Sequence, residues 1–340
     1  FGEVKDNARF TQATIGNMSG TGVGTFNDRI RDTVRGGGCC DSSLQLVQNQ
    51  SFITGLFTAP NAENSASDAA KNELLKAADK LKIVLAGSLS DFRFIDRNGA
   101  VTRASDLEST GYTQDPSETI NYIEAHDNET FFDIIQYKAP LTTSMDERVR
   151  MQNLGSSIVL LAQGVPFIHA GQEILRSKSF DRNSYDSGDW FNLLDFTYQQ
   201  NGWGRGLPNF QDNQNSWSLM KPRLADVSLA PTPAHIARTH EATLDMLKIR
   251  KSSPLFRLNT ADQIKNRLYF YNNGTDSIPG LVVMDIKDSA LSSAEDIDPA
   301  VEEIVVMFNT NPDTKSIAIT EFKGFDFVLH PVLQASTDPI

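Results

Sequence analysis

Four side chains able to act as acids, bases or hydrogen-bond partners close the stretch Asn121-Tyr122-Ile123-Glu124-Ala125-His126-Asp127-Asn128-Glu129-Thr130. The stretch starts as a short apolar run and turns abruptly polar, which is how a barrel strand delivers side chains to its C-terminal mouth. His126 and Asp127 are adjacent, so a regular strand sends them to opposite faces, and a twist or bulge is needed to bring both to one mouth. A strand running into an ordinary polar turn fits these residues equally well. Glu173 and Asp189 add carboxylates near other expected mouths, and His169 precedes the first of them.

No glycine-rich phosphate loop, H-E-x-x-H or G-x-S-x-G elbow is present, and the five histidines lack metal-ligand spacing. His240 shares an apolar helix face with Ile236, Leu244 and Leu247 and reads as a core residue; His169 reads equally as mouth or scaffold. That leaves carboxylates. Cleaving a glycosidic bond needs a proton donor, an anionic nucleophile or base, and stabilisation of an oxocarbenium-like transition state. Asp127, Glu129, Glu173 and Asp189 suit such work without specifying it.

The elements that must position these groups read as follows. Residues 28–32 carry alternating charges, either a solvated helix face or a polar network at a barrel rim. Residues 36–66 form a long Gly/Ser/Asn-rich loop, a length usually associated with function. Ser67 caps a helix to about Leu85, with Ala70, Leu74, Ala77, Ala78, Leu81 and Leu85 as its stripe. The strand opening at Asn121 follows, then a helix from the Ser144/Glu147 capping box to about Ala162 and a strand candidate over 165–173, whose Pro166 suits a first strand position. This helix–strand alternation is that of a parallel α/β fold, yet a whole eight-fold barrel needs about 250 residues.

A long loop holding Trp203 and Trp217 comes next; its tryptophans either stack on sugar or pin the loop to the core. A helix over 235–251 closes this half. Beyond Pro254 the runs 268–271, 280–286, 303–308, 316–320 and 325–330 read as strands of an antiparallel β domain.

Length and composition set the outer bounds. The 340 residues allow roughly two domains of ordinary soluble composition. A net charge of −12 argues against nucleic acid and is compatible with a neutral sugar. No run approaches the roughly 18 to 20 apolar residues of a membrane span. The start, Phe1 to Asp6, lacks the basic and apolar regions of a signal peptide. The adjacent Cys39 and Cys40 are poorly placed for a disulfide and too few for zinc.

Taken together, these residues resemble the α-amylase family of glycoside hydrolases, and within it the pullulanases and limit dextrinases that debranch α-glucans. Residues 24–32, 121–130 and 164–173 are similar to the family's sixth, seventh and eighth barrel-strand segments. Residues 177–192 are typical of debranching enzymes, and 247–258 resemble the junction between barrel and sandwich. The resemblance implies the C-terminal part of a (β/α)8 barrel in residues 1–254, followed by an incomplete antiparallel β-sandwich in 255–340.

It further implies that Asp127 is the transition-state-stabilising carboxylate and that His126 hydrogen-bonds the same sugar. Asn128 and Glu129 line the neighbouring wall, and Asp189 binds glucose one subsite further on. Leu193 stands where many relatives place an arginine. The nucleophile Asp and acid/base Glu belong upstream; Phe1-Gly2-Glu3-Val4 resembles residues just after the latter's motif, and Glu3 is not that acid.

The expected activity is endo-hydrolysis, with retention, of α-1,6 links in pullulan, amylopectin and limit dextrins. The chain alone is expected to be inactive and to need the remainder of the barrel. A non-catalytic glucan-binding fragment and an isoamylase-like enzyme are the alternatives. A structural Ca2+ is expected in the full enzyme, with no legible ligand set and no catalytic cofactor. A bacterial extracellular or surface location is expected, with a plastid as the alternative.

Overall fold

The computed structural model describes residues 14–289 and 295–336. Phe1 to Val4, including Glu3, lie outside the described residues. The α/β half runs β1 (Thr25–Asn27), α1 (Asp28–Arg35), α2 (Asp68–Leu85), β2 (Thr119–Asn121), α3 (Phe131–Lys138), α4 (Met145–Leu161), β3 (Val165–Pro166) and α5 (Pro233–Ser252). An antiparallel sheet follows, built from β4 (Leu268–Tyr271), β5 (Leu281–Lys287) and β6 (Glu303–Asn309).

Local chemistry sets the helix starts. The Ser67 hydroxyl accepts from the Ala70 amide at α2. Ser144 and Glu147 form a reciprocal capping box at α4, satisfying amides that have no partner within the helix. Thr130 does the same for the Asp133 amide at α3, which ends the polar stretch that opens at Asn121.

β1, β2 and β3 are parallel neighbours in that order, with Asn27 opposite Asn121 and Asn121 opposite Pro166. Pro166 ends a strand at the edge of this sheet, where a missing amide costs little. The Asn27 amide, fully buried, donates to Ser88 Oγ (3.0 Å), Thr119 Oγ1 (3.1 Å) and Asn121 Oδ1 (3.1 Å). Asn121 Nδ2 in turn donates to the Gln163 carbonyl at 2.8 Å. Side-chain amides therefore tie the short strands together from behind. A continuous apolar core runs from Ile30 through Leu81, Ile123, Phe131 and Ile158 to Val282, Met284 and Phe308, so α2 and the antiparallel sheet share it.

Three expectations need correction, the first being the strand candidate over 165–173, which is confined to Val165–Pro166. The strand expected to open at Asn121 ends there; only Ile120 and Asn121 pair with β3, so Tyr122 onward has left the ladder. Residues 316–320 and 325–330 form no strand among the described residues. Their composition is strand-like, but a strand exists only where a neighbour completes its ladder. Of the two readings of the loop tryptophans, the contacts favour the second: Trp203 packs edge-on against Phe132 and Phe180, at centroid distances of 5.8 and 4.9 Å. Trp217 donates to the Pro208 carbonyl at 3.2 Å, so both pin the loop, and of the three tryptophans Trp190 is the exposed one.

Candidate active site

Leaving β2, the chain makes a loop of residues 122–130 before α3 begins. Its two ends are fixed by one buried carboxylate. Glu124 accepts from the Phe131 amide at 2.6 Å and meets His169 Nδ1 at 2.9 Å. Arg176, which can only donate, donates to His169 Nε2 at 3.0 Å. Nδ1 therefore carries the ring hydrogen and donates to Glu124. A third tether is Lys178, whose ammonium donates to the His126 carbonyl at 2.9 Å.

Between these tethers the loop presents its chemistry to solvent. The His126 and Asp127 side chains are 85% and 77% exposed, and His126 Nε2 lies 3.4 Å from Asp127 Oδ1. Because the backbone bends here, neighbouring side chains no longer alternate between faces. Asn128 has φ +62°, a left-handed conformation its short amide tolerates better than most side chains. Its Nδ2 donates to the Cys39 carbonyl at 3.0 Å.

These residues line a cleft of about 470 Å³. Its floor is aromatic, with Phe26 of β1 edge-on to Tyr122 (5.4 Å) and to Phe167 (5.3 Å). Each ring comes from the end of a different parallel strand. Arg31 of α1 donates to the Tyr122 hydroxyl at 3.0 Å, and Arg182 and Asn183 also line the cleft. A face of rings rimmed by charges and amides suits a sugar, whose CH faces contact rings while its hydroxyls take hydrogen bonds. A larger cleft of about 600 Å³ lies against α1 and α2. There Lys76 and Lys80 both pair with Glu108, and Arg29 with Asp28. Most of its charges are already paired, whereas the smaller cleft exposes His126 and Asp127, so the smaller cleft is the better candidate.

The structure brings His126, Asp127 and Asn128 together on the cleft wall. Glu129 is only 2% exposed and is not among the lining residues; its carbonyl accepts from the buried Arg35 at 3.4 Å. Asp189 sits exposed on the short helix Gly188–Asn192 and is likewise not among them. Glu173 bonds back to the Gly171 amide at 3.0 Å. His240, half-buried, stacks on Tyr198 at 5.0 Å. Arg31, Arg35, Arg182 and Asp212 line the cleft without having been singled out as site residues from sequence. Arg31 belongs to the charged run whose rim reading named no residue, and Arg182 to the debranching-type segment.

That segment is positioned by Asp133 in the first turn of α3. Its carboxylate accepts from Ser177 Oγ (2.6 Å) and from the amides of Lys178 (2.9 Å) and Phe180 (3.2 Å). Burial pushes the Asp133 carboxyl up to about 6, against the opposing pull of these donors. Burial likewise lowers Lys178. Among the described residues no group of three or more His, Cys, Asp or Glu side chains could hold a metal ion. Among them, too, no helix is long and apolar enough to cross a membrane.

Comparison with known proteins gives a consistent result. Residues 198–340 match the family described as alpha-1,6-glucosidases, pullulanase-type, C-terminal. The chain is 47% identical to Pullulanase 1, chloroplastic, of Arabidopsis thaliana, over 100% of its own length and 36% of that protein's. It is 38% identical to a pullulanase of Klebsiella pneumoniae, covering 99% of this chain and 31% of the relative. A solved maltotriose complex of PulA from Klebsiella pneumoniae superposes with a TM-score of 0.91 at 39% identity, over 96% of this chain and 35% of that one. This chain thus belongs with the pullulanases, similar to them over its whole length and spanning about a third of theirs.

Proposed function

We propose that the chain is the C-terminal portion of a debranching glycoside hydrolase that cuts α-1,6 links within pullulan, amylopectin and limit dextrins. In this reading residues 1–254 complete a (β/α)8 barrel, with β1, β2 and β3 as its sixth to eighth strands, and 255–340 begin a β-sandwich. The observation that carries it is the exposed Asp127 carboxylate above an aromatic floor at the carboxyl ends of three parallel strands. That is where barrel enzymes of every chemistry assemble their sites.

Asp127 stabilises the positive charge that develops on the sugar ring and holds its hydroxyls. His126, beside it, donates to the same sugar. Asn128 contributes to the adjoining wall, Glu129 supports it from behind, and Asp189 meets the next glucose. The nucleophile Asp and acid/base Glu come from the remainder of the barrel. With those two carboxylates about 5 Å apart the reaction proceeds through a covalent glycosyl-enzyme and retains configuration. Calcium plays a structural part elsewhere in that enzyme. The relatives named above include chloroplastic and bacterial proteins; we favour secretion or surface display.

Reducing-sugar release by the full-length enzyme tests the reading. Pullulan is expected to be cut much faster than glycogen. Preference for glycogen would favour an isoamylase-like activity, and cleavage of linear α-1,4 chains alone would contradict debranching.

A further inference from the structure

The rim of the cleft carries a pair of groups that the debranching reading does not use. Cys39 and Cys40 are both free and exposed, with Sγ atoms 2.6 Å apart, and both line the cleft beside Asp127. Two thiols so close invite any reagent that can join them. The hydrogen bond with Cys40 pushes the Cys39 thiol up, so nearness rather than acidity supplies the reactivity.

The loop holding them is rigid at its base. Gly36 and Gly37 have φ of +82° and +73°, and a Cβ on either would lie 2.0 Å from the Asn49 carbonyl or 1.9 Å from Asp41 Oδ2. Buried Lys138 donates to the carbonyls of Gly36 (2.8 Å) and Asn49 (2.6 Å). Asp41 accepts from the Gly38 amide (3.1 Å) and Asn49 Nδ2 (3.2 Å). At the tip, the Cys39 carbonyl accepts from Asn128 Nδ2 (3.0 Å) and Arg182 Nη2 (3.1 Å), one from the 122–130 loop and one from the 177–192 segment. The peptide between the cysteines therefore joins those two segments where they line the cleft.

We propose that Cys39 and Cys40 form a thiol-modification site, at which a disulfide oxidant closes them into one ring and loosens the cleft walls. One cysteine thiolate attacks the oxidant's disulfide, forming a mixed disulfide as one oxidant sulfur leaves with the electron pair. The second cysteine thiolate then displaces the other oxidant sulfur. Two protein thiols are oxidised, one disulfide is reduced to two thiols, and the cysteine protons end on the departing sulfurs. A ring through adjacent residues strains the peptide it contains, which also makes it easily reduced. Since the base cannot shift, the Cys39 carbonyl turns away from Asn128 and Arg182. Any effect on glucan turnover rests on the debranching reading of the cleft; the thiol chemistry does not.

The full-length enzyme and its Cys39→Ser/Cys40→Ser variant are treated with oxidised glutathione. Wild type is expected to lose two more titratable thiols than the doubly substituted enzyme and to fall in mass by two hydrogens. Phenylarsine oxide, which bridges paired thiols, should block this, and dithiothreitol should reverse it. Hydrogen exchange should quicken in peptides covering 125–130 and 181–183, in wild type only. Retention of both thiols, or stable glutathione adducts on each, would overturn ring closure. Closure without faster exchange would overturn the coupling. Pullulan turnover is read separately: it should drop on oxidation of wild type alone. A reduced enzyme with no pullulan turnover would defeat the debranching reading and leave the thiol result standing.

Discussion

Two buried carboxylates, one in the α/β half and one in the antiparallel sheet, are both raised by burial but are held by different partners. Asp133, beneath the cleft, is pushed up to about 6, yet three donors converge on it. Asp285, in the middle of β5, is pushed up to about 7 by burial and then by Glu303. Its opposing partners are few: the Tyr271 hydroxyl at 3.3 Å and the Lys287 ammonium at 3.6 Å. In the first case burial is converted into position, because the amides of Lys178 and Phe180 must stay where the carboxylate is. In the second, burial and a like-charged neighbour raise the acid, and the partners it does have lie within its own sheet. A raised pKa therefore does not mark the site here; the number of donors fixed by the acid does.

The largest effect should follow Asp133→Asn. The new amide group faces at least one N–H that needs an acceptor, which costs about 2–3 kcal/mol of unfolding free energy. Urea denaturation would read the loss, and hydrogen exchange should quicken over 177–180. Unchanged stability and exchange would remove the distinction from Asp285. Glu124→Gln should come next. Its amide must turn toward either the Phe131 N–H or the His169 N–H, costing about 1–2 kcal/mol and speeding exchange over 125–130. Asp285→Asn should have the smallest effect and the opposite sign. It removes a like-charge contact while keeping an acceptor for Tyr271, so stability above pH 7 should hold or rise by up to about 1 kcal/mol.

The pH dependence follows from the same shifts. Both acids bind a proton more tightly when folded than at their ordinary value of 3.8. The cost of ionising them is complete above their folded values and disappears as pH falls toward the unfolded value. Stability carried by Asp285 should thus rise as pH drops from about 7 toward 4, and Asp285→Asn should flatten that slope. A slope that survives the substitution would assign the proton elsewhere.

What the sequence revealed depended on how local the cause was. Ser67 and the Ser144/Glu147 pair announce their helices because a cap involves residues three apart. The strand expected from Asn121 was displaced because its extent depends on Ile120 meeting Val165, far along the chain. Residues 316–320 and 325–330 have the composition of strands but, among the described residues, no strand partner. Asp127 was legible through its motif. The burial of Glu129, and the meeting of Arg31, Cys39 and Arg182 around one cleft, arise only when distant loops converge.

In the proposed enzyme Asp127 works on the substrate while Glu124, Lys178 and Asp133 hold the loops around it. That division of labour is tested most directly by pullulan turnover of the full-length enzyme carrying Asp127→Asn, beside its melting temperature. With 77% of its side chain in solvent, Asp127 contributes little to the fold. Turnover is expected to fall by orders of magnitude, with a melting temperature within a degree or so of wild type. Near-normal turnover would contradict this and remove Asp127 from the catalytic set.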